Sequence, residues 1–100
     1  MKTTIQETEG FLTAYLEGEL DTAASIQAEK DFKPLLDCEG RTIVMDCSNL
    51  TYIASSGLRL FLTILKNSKA KGSKMIVQNI NDDIRKVFTL TGFFNLFDIR

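Results

Sequence analysis

Apolar residues are spaced in two ways along this chain, and the alternation between them sets its architecture. From Phe11 to Leu16, Phe11, Thr13 and Tyr15 alternate with Leu12, Ala14 and Leu16, a period of two that predicts a strand. Thr3 to Glu7 predicts a shorter strand, with Glu9-Gly10 as the turn between the pair and antiparallel pairing as the simplest connection. Thr42-Ile43-Val44-Met45 is a continuous β-branched apolar run, the pattern of a strand buried on both faces. Leu58, Phe61, Leu62 and Leu65 then fall at i, i+3, i+4 and i+7, with Arg59, Thr63 and Lys66 on another side, which predicts an amphipathic helix from Ser56 to about Lys69. A strand over Lys74 to Gln78 follows, then a helix with Ile84, Val87 and Phe88 inward.

Local signals punctuate these runs. Gly18 is expected to end the second strand, and Asp21 to cap a helix over Thr22 to Lys33 whose stripe of Ala24, Ala28, Phe32 and Leu35 is thin. Pro34 should kink or end that helix, and Glu39-Gly40 turns the chain into the next strand. Asn81 is placed to cap the last helix, with Asp82 and Asp83 in its first turn and Gly92 as its stop. The apolar tail from Phe93 to Ile99 is expected to cover the core and to allow one more edge strand. The fold class is therefore α/β, one domain over residues 1–100, with a mixed sheet of four or five strands and helices packed on it. The strands ending at Gly18 and Asp46 should be parallel, bringing the Gly18–Asp21 and Asp46–Gly57 loops to one edge, where open sheets of this kind bind partners.

Composition narrows the chemistry. A formal charge of −1, with 25% charged residues of both signs, provides no basic field for nucleic acid and no polybasic arm for lipid, so the expected partners are proteins. Lys66, Lys69 and Lys71 read as a solvated face near the negative end of a helix dipole. No apolar run approaches the roughly 20 residues that span a bilayer, and the start of the chain lacks a signal-peptide core, so a cytoplasmic protein without membrane insertion is expected. The chain has no histidine, which removes Ser-His-Asp and Cys-His catalysis and histidine-bearing metal sites. Cys38 and Cys47 are too far apart for a C-x-x-C pair and read as reduced thiols. Asp46 ends a strand as a phosphoacceptor aspartate would, but no acidic pair precedes it to hold magnesium. No cofactor, metal or catalytic activity is expected.

The candidate site is the segment joining the most strand-like run to the most helix-like one, Asp46-Cys47-Ser48-Asn49-Leu50-Thr51-Tyr52-Ile53-Ala54-Ser55-Ser56-Gly57-Leu58. Ser55 or Ser56 is expected to cap the helix, beside unpaired N–H groups and the positive dipole end, where an anion is favoured.

Three patterns, Gly18-Glu19-Leu20-Asp21, Ile43-Val44-Met45-Asp46-Cys47-Ser48 with Ser55-Ser56-Gly57-Leu58, and Leu90-Thr91-Gly92 with Leu96-Phe97, resemble the STAS domain of bacterial anti-sigma factor antagonists across essentially the whole chain. The resemblance implies a phospho-regulated switch. A kinase-like anti-sigma factor would phosphorylate the serine that opens the second helix, here Ser55 with Ser56 in reserve, and a metal-dependent serine phosphatase would reverse it. The implied docking surface is Asp21, Ser48, Tyr52, Ser55, Ser56, Gly57 and Arg59. Phosphorylatable loops of the family commonly carry an acid just before the serine pair, whereas Ala54 stands there; Asp46 or Asp21 is then the expected nearby carboxylate. The alternative is a non-phosphorylated adaptor subunit of a transport or signalling complex.

Overall fold

The computed structural model describes residues 1–100 and orders five strands as β1-β2-β3-β4-β5. β1 (Lys2–Thr8) and β2 (Phe11–Leu20) form the expected hairpin, antiparallel from Lys2↔Glu17 to Thr8↔Phe11, and Gly10 turns between them at φ 81°. α1 (Thr22–Asp31) and α2 (Lys33–Leu36) lead to β3 (Thr42–Ile53), which runs parallel to β2. α3 (Ser55–Ala70) leads to β4 (Lys74–Gln78), parallel to β3, and α4 (Asp82–Leu90) and a 3-10 turn (Phe93–Asn95) lead to β5 (Asp98–Ile99), a short edge strand parallel to β4.

The first helix ends at Asp31, short of the expected Lys33, and Pro34 lies in the first turn of the next helix. Proline is tolerated in a first turn because its missing N–H has no helical acceptor there, so a second short helix, α2, starts around it. Lys71 then pins the end of α2, its Nζ donating to the Leu36 carbonyl at 2.9 Å. At the other end of the chain, Asn81 caps α4 through its side-chain oxygen, 2.8 Å from the Ile84 N–H, and Gly92 takes φ 77° just past the helix, as anticipated.

One core runs along the sheet. Leu12, Ala14 and Leu16 of β2, Ile43 and Met45 of β3, and Met75 and Val77 of β4 meet Ala28, Phe32, Leu35, Leu58, Phe61, Ile64, Ile84 and Phe88 from the helices. The alternate residues Phe11, Tyr15 and Glu17 are exposed, so β2 is covered on one face only. On α3 the fully covered stripe is Leu58, Phe61, Ile64, Leu65 and Ser68, while Leu62 is half-buried at its rim. The tail closes the core as expected: Phe97 is buried, 6.4 Å centroid to centroid from Phe61 and 5.6 Å from Phe88. Phe61 belongs to this aromatic group, 6.2 Å centroid to centroid from Phe88, and has no exposed surface. Phe61→Ala should therefore cost about 3–5 kcal/mol of unfolding free energy in urea titration; a loss below about 1 kcal/mol would contradict this placement of the core.

Candidate functional site

Two strands outrun the rest of the sheet to build the site. β4 stops where Gln78 pairs with Asp46, but β2 and β3 continue together through Glu17↔Asn49, Gly18↔Leu50, Glu19↔Tyr52 and Leu20↔Ile53. Gly18 does not end β2, as its sequence context suggested. It stays in the ladder at φ 103°, a conformation open to a residue without Cβ, and the register shifts on either side of it let β2 follow the bulged β3. Most of the expected Asp46–Gly57 loop is likewise strand. The Leu20 carbonyl then accepts from the Ala54 N–H at 2.9 Å, and α3 begins at the next residue.

This direct passage from strand to helix displaces both serines from the cap. The last extended residue is Ala54 (φ −89°, ψ 169°), which caps α3 without any side-chain hydrogen bond, so Ser55 and Ser56 are the first two helical residues. The two differ sharply in setting. Ser55 is exposed. Ser56 is partly buried with its hydroxyl 3.0 Å from that of Ser25 in α1. Ser25 gives its one hydroxyl proton to the Asp21 carbonyl at 2.8 Å, so Ser56 is the donor in the serine pair. Asp21 caps α1 as anticipated, its Oδ1 accepting from the Ala24 N–H at 2.7 Å.

Gly57 sets how closely α3 approaches the strand ends. A Cβ there would lie 2.7 and 2.8 Å from Leu20 side-chain atoms and 3.0 Å from Ile53 Cγ1, and both neighbours are buried. Asp21 directly follows Leu20, Tyr52 directly precedes Ile53, and Ser55, Ser56 and Arg59 flank Gly57 on the first turns of α3, with Tyr52 48% exposed and Ser55 and Arg59 also exposed. A shallow groove of about 310 Å³ between α1 and α3 continues the surface, lined by Ser25, Ile26, Glu29, Ser56, Arg59 and Leu60 among others. Ser25, Ile26 and Glu29 escaped the sequence reading because α1 has too weak an apolar stripe to say which of its sides meets α3; the small residues Ala24, Ser25 and Ala28 were the available signal.

Ser48 stands apart from this group, further back along β3. There Asp46, buried in the sheet, accepts from the Ser48 N–H (3.0 Å), the Ser48 hydroxyl (2.6 Å), Gln78 Nε2 (2.9 Å) and Asn79 Nδ2 (3.3 Å), which fixes the first bulge. Asp46 is thus committed to β3 and the end of β4, while Asp21, the other expected carboxylate, caps α1 directly after the last residue of β2. Burial disfavours the Asp46 anion, yet the donors from Ser48, Gln78 and Asn79 outweigh it and hold the carboxyl below its ordinary value of 3.8. Cys47 beside it is pushed up to about 12, by burial first and by the Asp46 charge second, so its thiol is protonated and inert at neutral pH. No group of three His, Cys, Asp or Glu side chains is placed to hold a metal ion, and no helix is long and apolar enough to cross a membrane.

A sheet of this order, whose central parallel strands deliver a serine pair to a helix start, defines a class: the chain belongs to the STAS domain family, whose family model matches residues 2–100. Among its relatives, BtrV of Bordetella bronchiseptica, named as a candidate anti-sigma factor antagonist, is 30% identical over 99 residues, 99% of this chain and 85% of that protein. The anti-sigma-B factor antagonist of Staphylococcus aureus is 27% identical over 99% of this chain and 90% of its own length. Solved structures of SpoIIAA, a Bacillus cell fate determinant and anti-sigma factor antagonist, share the fold. The unphosphorylated form matches with a TM-score of 0.75 at 23% identity, over 99% of this chain and 87% of that one. The phosphorylated form matches at 0.74 and 24%, over 99% and 91%.

Two outcomes follow from this geometry. Gly57→Ala should lower the urea midpoint, because an overpacking cost of roughly 1–3 kcal/mol exceeds the gain of about 1 kcal/mol in helix propensity; an unchanged or raised midpoint would contradict the close contact. A carboxyl with a depressed folded pKa adds stability that is present above its unfolded value and lost as pH falls through the folded one. The stability difference between the parent chain and Asp46→Asn should therefore be constant above about pH 5, and shrink as pH drops below the ordinary Asp value of 3.8. Urea titrations across this range that show a difference independent of pH would refute the assignment.

Proposed function

We propose that this chain is a cytoplasmic anti-sigma factor antagonist that acts by binding and not by catalysis, and that phosphorylation of Ser55 controls its docking onto a kinase-like anti-sigma factor. The observation that carries the proposal is the contrast within the serine pair: Ser55 is exposed at the first position of α3, while Ser56 is tied to Ser25. The names of the relatives support the antagonist role, and the existence of SpoIIAA in an unphosphorylated and a phosphorylated form supports regulation by phosphorylation. In the forward step the γ-phosphoryl of ATP would pass to Ser55 Oγ, with ADP leaving and the hydroxyl proton going to a base on the kinase. In the reverse step a serine phosphatase would transfer the phosphoryl to water, releasing inorganic phosphate.

The physics of such a switch is local. A phosphate brings a charge of roughly −1.5 to −2, and a helix start tolerates it, since the first N–H groups lack helical acceptors. No side chain caps them in α3. The fold therefore has no reason to rearrange, and the cost falls on whatever packs against Asp21, Tyr52, Ser55, Ser56, Gly57 and Arg59. Moving a complex from nanomolar to micromolar takes about 4 kcal/mol, within reach of one charge clash at a desolvated interface.

Incubation with the cognate kinase and ATP should add one phosphoryl mass to the parent chain and none to Ser55→Ala. Ser55→Asp should weaken binding of the unphosphorylated partner at least about tenfold, or roughly 1.4 kcal/mol, by calorimetry. Absence of the mass gain together with unchanged affinity would overturn the switch. Ala54, in the place where the family commonly has an acid, favours a second reading, a constitutive adaptor subunit using the same edge. Recovery from cells of a stable complex in which Ser55 is never modified would select it.

A further inference from the structure

Arg59 is exposed, and neither of the two ion pairs in the molecule involves it; those join Arg41 to Glu7 and Arg100 to Asp98. It follows Ser55 by four positions on the same helix. Residues so spaced are neighbours on the helix surface, about 5–6 Å apart at Cβ, and helical side chains lean toward the N-terminus, which directs a long guanidinium back over the turn that holds Ser55. The surrounding charges leave that direction open. Glu29 lines the same groove without forming an ion pair with Arg59, and Asp21 caps α1 through Oδ1. Glu19 pairs in register with Tyr52 on the strands below. Ala54 contributes neither a competing charge nor a side-chain hydrogen bond to the helix start.

We infer that a phosphoryl group on Ser55 is held within the chain by the Arg59 guanidinium, one turn along α3, so that modification both adds negative charge to the docking face and withdraws its free arginine. Guanidinium is the side chain best matched to phosphate oxygens, through two parallel N–H donors. This deepens the phosphoserine reading and rests on it. A partner that docks through an acidic group on Arg59 thereby loses that contact when it meets the phosphorylated chain, in addition to meeting a repulsive charge.

The test needs neither kinase nor partner. Phosphoserine is installed at position 55 by codon expansion in the full chain, and its second ionisation is followed by 31P NMR in the parent, Arg59→Gln and Arg59→Lys backgrounds. An arginine at i+4 should lower the phosphate pKa by roughly 0.3 or more relative to Arg59→Gln, a twofold change in acid dissociation constant, with Arg59→Lys recovering part of the shift and 1 M salt reducing it. The Arg59 Nε–H resonance should move with the same titration. Identical phosphate titrations in the parent and Arg59→Gln chains, with a stationary Nε–H signal, would overturn the inference. Failure of the docking reading would appear instead in the kinase and affinity measurements, which this titration does not touch.

Discussion

The site depends on a contact with no room for a Cβ. Gly57, in the first turn of α3, lies against Leu20 and Ile53, the paired last residues of β2 and β3. The Ala54 N–H bonds the Leu20 carbonyl at the same place. Together these lock the helix start to the strand ends, so the orientation of Ser55 toward solvent is set by backbone and packing and owes nothing to its own hydroxyl. A side chain that is not needed for folding is free to be modified. Ser56 is the opposite case, its hydroxyl being part of the Ser25–Asp21 link that joins α1 to α3.

The same separation extends along β3. Asp46 and its donors fix the bulge that lets β3 continue beyond β4, and they do so inside the sheet, away from the helix start. A buried carboxylate with several hydrogen bonds is costly to disturb because losing a partner leaves an uncompensated charge. Rigid support under the edge and a replaceable charge on it are what a docking switch requires: the interface changes while the scaffold beneath stays constant.

Much of this was legible in the sequence because local and global preferences agree. The β1–β2 hairpin, the parallel pairing of β2 with β3, the capping of α1 by Asp21 and of α4 by Asn81, and the closure of the core by Phe97 all follow from period, turn residues and apolar area. The misreadings cluster at the candidate site for one reason. Where β2 and β3 extend past β4 they carry exposed polar residues and two register shifts, so Gly18 and the Ser48–Asn49 pair look like loop when they are strand. That extra length of strand then moves the cap from the serines to Ala54. Ser25 was not singled out because its contact is with Ser56, 31 positions away, and the only local trace was the run of small residues Ala24, Ser25 and Ala28 on α1.

The central claim is that charge added at Ser55 alters the surface and leaves the fold unchanged, and amide NMR of the unmodified chain against the chain carrying phosphoserine at position 55 tests it most directly. The account expects chemical-shift changes confined to the α1 and α3 starts and the adjoining ends of β2 and β3, with hydrogen-exchange protection of the β2–β3–β4 core unaltered. Widespread shifts, or loss of protection in the central strands, would contradict it.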